Sequence, residues 1–328
     1  MAISLRSQVL VSGRLSELDT AARTIVRDSL GVAPGESLLV VCDPTTHELG
    51  IRLRDEGERA GADAVLALMA ERETNGEDPA APVSAAMAAA DGVLAPPAKS
   101  ISHSEARRRA TKAGARIATL PGVTEEMLAR VMSVDMDELE RLTHAIAGRL
   151  DAASEARITC PNGSDLTLSL DGREGIPDDG RLTEPRAFGN LPAGEGFIAP
   201  LEDRAEGTLV VDGSIADIGL MDEPVELTIE GGRLRSATGD AGRQLYEMLS
   251  AHGGENVAEL GVGANDRAVI TGNVLEDEKV LGTVHVAFGA SAGFGGVVKV
   301  PVHIDCVILK PELTVDGEPL VSGGRLLV

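Results

Sequence analysis

Apolar and polar positions follow two different rhythms along this chain, and the change between them falls near residue 153. In the first half, helical spacing of apolar side chains alternates with short unbroken apolar runs, the pattern of helices alternating with buried strands. Ser16 to Leu30 predicts a helix, with Ser16 as its cap and Leu18, Ala22, Ile25 and Leu30 recurring on one face. Ser37 to Cys42 predicts a strand ended by Asp43-Pro44, followed by a helix over His47 to Ala60 and a strand over Ala62 to Leu68. A short helix at Val83 to Ala90, a strand at Gly92 to Pro96, a basic helix at Ser104 to Ala113 and a strand at Ala115 to Leu120 continue the series. Helices at Thr124 to Met132 and Met136 to Ala152 close it. Such alternation implies a parallel sheet with helices on both faces, a Rossmann-like α/β domain over residues 1–152. No G-x-G-x-x-G follows the first strand, so no dinucleotide site is expected.

Beyond residue 153 glycine becomes frequent and the strands shorten. Ala156 to Cys160, Asp165 to Leu170, Gly207 to Asp212 and Pro224 to Glu230 read as strands, separated by turn pairs such as Asn162-Gly163 and Asp171-Gly172. One helix, Gly242 to His252, interrupts them. Residues 153–328 therefore predict an α+β domain with a mostly antiparallel sheet.

Two late strands carry histidines opposite their apolar residues. Gly282 to Gly289 contains His285. In Val298 to Ile308, Val298, Val300, Val302, Ile304, Cys306 and Ile308 share one face, while His303 and Asp305 share the other. In Val257 to Gly263 the alternation puts Glu259 on one face with Gly261 and Gly263, two glycines expected to leave open space beside the carboxylate. Glu195 follows a turn in Asn190-Leu-Pro-Ala-Gly-Glu195.

Composition narrows the classes. A hydrophobic content of 43% supports real cores, and aromatics at 2% mean that these are built from Val, Leu, Ile and Ala. A net charge of -22 repels phosphate backbones and argues against a nucleic-acid partner. Cys42, Cys160 and Cys306 show no zinc-ribbon spacing and read as free thiols in a reducing compartment. The N-terminal residues show no signal-peptide pattern, and no apolar run is long enough to span a membrane, so a cytoplasmic protein is expected.

Taken singly, each of these acids and histidines reads as an ion-paired or hydrogen-bonded polar group. Together, Glu195, Glu259, His285, His303 and Asp305 offer three carboxylates and two imidazoles, a set that suits two divalent ions sharing a bridging carboxylate. Oxygen and nitrogen donors without a thiolate fit zinc, cobalt or manganese. Glu276, Asp277 and Glu278 form an acidic run before the His285 strand: either a solvated turn, or a group that orients His285 or supplies a general base. Gly289 to Gly293 matches G-x-S-x-G without the strand-turn-helix context that a nucleophilic serine needs. His103 lies on a loop after the third strand, where it could reach a substrate.

The ordered segments Asn190 to Glu195, Ala258 to Gly263, Leu275 to Lys279 with Gly282 to His285, and His303 to Asp305 resemble the thermophilic metallo-aminopeptidase family of aminopeptidases T and S. The likeness runs from about Asn190 to Gly317. It implies that Glu195, Glu259, His285, His303 and Asp305 are ligands of a two-metal site, and that the chain forms a homodimer. That family's catalytic tyrosine would fall at Ala292. The same superfamily includes 2,5-dihydroxypyridine dioxygenase, a mononuclear iron enzyme whose ligands match Asp305, His303 and, with histidine in place of the acid, Glu259.

The expectation drawn from the sequence is a metal-dependent hydrolase of an amide bond in a small molecule or short peptide, with two ions activating water, Glu259 as a catalytic ligand and Glu278 moving protons. The alternative is an Fe(II) dioxygenase, holding one ion, that opens a hydroxylated N-heterocycle. A third reading is a homologue that keeps the metal and has lost catalysis.

Overall fold

The computed structural model describes residues 17–328, so the proposed cap Ser16 lies outside the described residues. The chain divides into two compact units: residues 1–136 with 180–193, and residues 137–179 with 194–328. The sequence had suggested a single break near residue 153. Instead, the last long helix of the first half lies with the second unit, and a later stretch returns to the first.

In the first unit, α1 (residues 17–29, with Thr24–Ser29 π-wound) precedes β1 (Ser37–Cys42), α2 (His47–Arg59), β2 (Asp63–Leu68), α3 (Ala81–Met87), β3 (Gly92–Ala95), α4 (Glu105–Ala113), β4 (Arg116–Thr119) and α5 (Glu125–Val131). The strands form a parallel sheet in the order β2-β1-β3-β4, extended by β8 (Phe188–Asn190), which also runs parallel to β4. Parallel strands covered by helices are buried on both faces, so they carry continuous apolar runs rather than alternation. Val41, Met87, Val93, Ala95 and Ile117 pack there with no exposed surface. Two helices begin on side-chain caps: Ser104 accepts from Arg107 N, and Thr124 accepts from Met127 N.

The second unit opens with α6 (Met136–Asp151) and contains β5 (Glu155–Thr159), β6 (Asp165–Ser169), β7 (Gly175–Asp178), β9 (Glu195–Ile198), β10 (Glu206–Val211), β11 (Ser214–Ile215), β12 (Gly219–Leu220), β13 (Val225–Glu230) and β14 (Arg233–Ala237). Then come α7 (Gly239–Ser250), β15 (Val257–Gly263), α8 (Val274–Asp277), β16 (Val284–Gly289), β17 (His303–Ile308), β18 (Glu312–Val315), β19 (Glu318–Ser322) and β20 (Arg325–Leu326). An eight-stranded sheet runs β14-β13-β10-β6-β5-β18-β19-β20 and a seven-stranded one β12-β11-β17-β16-β15-β9-β7, with antiparallel pairing in both. The fold is thus α/β with a parallel sheet in one unit and antiparallel sheets in the other. Helix α6 lies directly on β9: a Cβ at Gly196 would stand 2.6 Å from Ile146 Cγ2.

The last histidine strand is shorter than its alternation suggested. It starts at His303, not at Val298. Pro301 has no N–H to give a ladder, and Val298 O instead accepts from the N–H groups of Ser291 and Ala292, closing a loop. Among the described residues, no helix is long and apolar enough to cross a membrane.

Candidate metal centre

Facing residues of antiparallel strands project on the same side of a sheet. In the seven-stranded sheet this builds three polar rows. Glu259, Ala287 and Asp305 face one another across β15, β16 and β17, so two carboxylates flank a single methyl group. Phe197, Gly261 and His285 form the next row, and Asp178, Glu195 and Gly263 the third. His303 opens β17 opposite Gly289.

The glycines beside Glu259 do not leave open space, contrary to the sequence reading. A Cβ at Gly261 would stand 2.1 Å from His285 Nε2, and one at Gly263 would stand 2.1 Å from the Val280 carbonyl oxygen. The His285 ring therefore lies across β15 and leans toward β9. Its Nε2 comes to 3.0 Å from Glu195 Oε2 and 3.5 Å from Glu259 Oε1.

His303 is oriented from behind. Its Nδ1 lies 2.8 Å from the Ala290 carbonyl oxygen, so Nδ1 carries the proton and Nε2 faces inward. Nε2 sits 3.4 Å from Glu259 Oε2 and 3.4 Å from Asp305 Oδ1. Phe294 meets the ring edge-on, its centroid 5.8 Å away, and Phe197 meets Phe294 in the same manner at 5.6 Å.

All five ligand candidates read from the sequence thus come together, and Glu278 joins them. Ligand atoms of Glu195, Glu259 and His285 lie within 4.8 Å of one another, as do those of Glu278, His285 and Asp305. Two further members went unread. The ammonium of Lys279, buried at 3% exposure, donates to Glu195 Oε1, lies 2.8 Å from Glu278 Oε1 and is 3.3 Å from Asp178 Oδ2. A lysine at that depth is rare unless paired. The run Glu276 to Lys279 was visible in the sequence, but spacing alone does not tell which of its side chains turn inward.

Glu276 and Asp277 are not a solvated turn. Both are fully buried. Glu276 Oε1 accepts from Val269 N at 3.0 Å, and Asp277 accepts from Thr271 N at 2.7 Å and Gly272 N at 2.9 Å, which fastens the loop before α8. Ser291 is likewise a loop anchor, its Oγ accepting from Val298 N at 3.3 Å. His103 belongs to the first unit, exposed on the loop between β3 and α4. A separate grouping, Glu140, His144 and Asp179, stands in the second unit with its histidine exposed.

Burial opposes every charge in the centre, and the neighbours decide the outcome. For Glu195, burial pushes up but Lys279 and His285 hold the carboxyl down at about 2. For Glu278, burial wins and, with Asp305 and Glu195 nearby, pushes it up to about 8. Burial pulls His303 down, yet Asp305 and Glu259 more than reverse this and hold a proton on the ring.

These residues fit a divalent ion. With Nδ1 committed to Ala290, His303 Nε2 is turned toward two carboxylates, and a divalent ion held there would replace the proton that those acids keep on the ring. Glu195 Oε2 and His285 Nδ1 are buried and make no well-aligned hydrogen bond among the described residues. Cys306 is no competitor, since it lies on the opposite face and burial pushes its thiol well up. The centre offers only oxygen and nitrogen donors, the set of zinc, manganese or non-haem iron.

Comparison with known proteins gives three findings. A family model, NicX, described as 2,5-dihydroxypyridine 5,6-dioxygenase, matches residues 31–328. A curated 2,5-dihydroxypyridine 5,6-dioxygenase from Pseudomonas putida KT2440 is 26% identical over 243 residues, covering 69% of this chain and 68% of that protein. Among solved structures, 2,5-dihydroxypyridine dioxygenase from the same organism superposes with a TM-score of 0.81 at 22% identity, covering 95% of this chain and 97% of that one. Wild-type AmpT from Thermus thermophilus does so with a TM-score of 0.72 at 19% identity, covering 95% and 99%. At these identities the structural likenesses speak for the fold alone. The family match and the curated relative overturn the expectation of an amide hydrolase, and the superfamily likeness read between Asn190 and Gly317 resolves toward the ring-opening enzymes.

Proposed function

The chain belongs to the 2,5-dihydroxypyridine 5,6-dioxygenase family, and on that premise we propose that it adds both atoms of O2 across one ring bond of a dihydroxylated N-heterocycle. The observation that carries this reading is the family match across residues 31–328, which includes every member of the centre. Glu259, His303 and Asp305 would hold one Fe(II), with His285 on the far oxygen of Glu259. When bound, the ion supplies the redox partner that lets O2 react with an aromatic ring. The set departs from two histidines and one carboxylate, because Glu259 stands where the relatives read from sequence place a histidine.

The chain's own residues supply orientation and proton handling. Ala290 and Phe294 fix the His303 ring so that Nε2 faces inward. Glu278, pushed up to about 8, holds a proton at neutral pH and can give it to, or regain it from, a ring hydroxyl.

The test is oxygen consumption by anaerobically iron-loaded protein given 2,5-dihydroxypyridine. One O2 taken up per ring lost is the expected result. Iron-loaded protein that takes up no oxygen with this substrate or its monohydroxy analogues overturns the reading.

A further inference from the structure

We propose that Lys279 sets the metal count of the centre: its ammonium stands where a second ion would sit and confines the site to a single ion at Glu259, His303 and Asp305. The inference rests on the one-metal reading above and assigns the residue that enforces it.

Two groupings converge within ligand distance and share His285, a number of donors sufficient for two ions. Each grouping loses one carboxylate to the same lysine. Glu195 is taken from the first and Glu278 from the second. Asp178 adds a third oxygen, so the three N–H donors of the ammonium meet oxygens of three carboxyl groups in a closed socket. That socket is built: Glu195 opposes Asp178 in register across β9 and β7, and Lys279 follows two residues after the end of α8.

His285 follows the lysine. Gly261 lets its ring cross β15, and Nε2 ends nearer Glu195 than Glu259. Lys279, Glu195 and His285 therefore form one connected chain in the β9 half of the centre. His303 and Asp305 lie on β17, and His303 Nε2 joins Asp305 to the second oxygen of Glu259 on the side away from Glu195. A dication placed on Glu195 or Glu278 would have to approach a buried positive charge in surroundings that screen it poorly. Lysine here does electrostatically what a second ion does in two-metal sites, without offering an open coordination position for water or substrate.

The test counts ions and does not depend on turnover. Full-length protein stripped with a chelator is dialysed against cobalt(II), an oxygen- and nitrogen-seeking probe, and cobalt per chain is measured by elemental mass spectrometry. Wild type is expected to hold about one ion, and Lys279→Gln and Lys279→Met about two. Two ions in wild type, or one in wild type and variants alike, overturns the proposal. If the lysine variants fail to fold, judged by circular dichroism, Glu195→Gln decides. One ion retained with affinity within about 100-fold of wild type is expected of a lysine partner, while a larger loss marks Glu195 as a direct ligand and overturns the assignment. A protein that holds one ion in this experiment yet, when loaded with iron instead, consumes no oxygen with a dihydroxypyridine refutes the dioxygenase and leaves the role of Lys279 standing. A wild type that holds no ion refutes both.

Discussion

The imidazole of His285 occupies the volume that a side chain at residue 261 would need, its Nε2 lying 2.1 Å from where a Cβ of Gly261 would be. The glycine is thus part of the histidine's geometry. Gly261→Ala should tilt the ring off Glu195 and Glu259, destabilise the sheet by about 1–3 kcal/mol and weaken metal binding. Thermal melts with and without metal check both effects. A variant with unchanged affinity would show that the ring has another place to go.

Glu259 is the divider between the two halves of the centre, one oxygen toward His285 and the other toward His303. Glu259→Gln keeps the shape and removes the charge. Metal affinity should fall by about 100-fold or more and oxygen uptake should vanish, with far-UV circular dichroism unchanged. Full activity would sink the site.

Phe294 steadies His303 from the edge of its ring. Phe294→Ala removes a contact of about 0.5–1.5 kcal/mol and should lower metal affinity by about 10-fold, while Phe294→Leu recovers part of the loss through packing alone. Isothermal titration with cobalt(II) measures both.

Asp43 gives a test in the first unit. It has no exposed surface, and its carboxylate accepts from Thr45 N at 2.9 Å and Ala98 N at 2.7 Å. Burial raises its pKa, but the hydrogen bonds from Thr45, Ala98 and Thr46 outweigh burial and hold it below the ordinary 3.8. A depressed folded value means that the stabilisation is complete above the unfolded carboxyl's range and is lost as pH falls through the folded value. Asp43→Asn should cost about 1–3 kcal/mol at neutral pH, and the gap to wild type should close as the solution is acidified below about pH 4. Urea midpoints at pH 7 and pH 3 measure the gap. A gap that stays constant would mean that the charge contributes nothing.

How much of this was legible in the sequence depends on the range of the interaction concerned. The alternation in 257–263 and 303–308 placed Glu259, His303 and Asp305 on the polar face because a strand's faces follow from its own residues. The socket of Lys279 was hidden, since its partners Asp178 and Glu195 lie 101 and 84 positions away and come together only when β7, β9 and α8 are in place. Gly261 showed as a glycine, but only the register against His285 gives it a reason. At 298–302 alternation misled, because valines at every second position also suit a loop that folds back on Ser291. The chemistry went astray at the same point as the lysine: five ligands counted without their internal cation look like a two-metal hydrolase.

The members of the candidate centre arrive from β9, β15, β16 and β17, with 110 positions between Glu195 and Asp305. Such long separations make the centre a late event in folding, since strands distant in the chain must already be paired before any of its donors meet. Free metal should therefore leave the refolding rate nearly unchanged and act on the unfolding rate, as a latch closed after assembly rather than a seed around which the sheet forms.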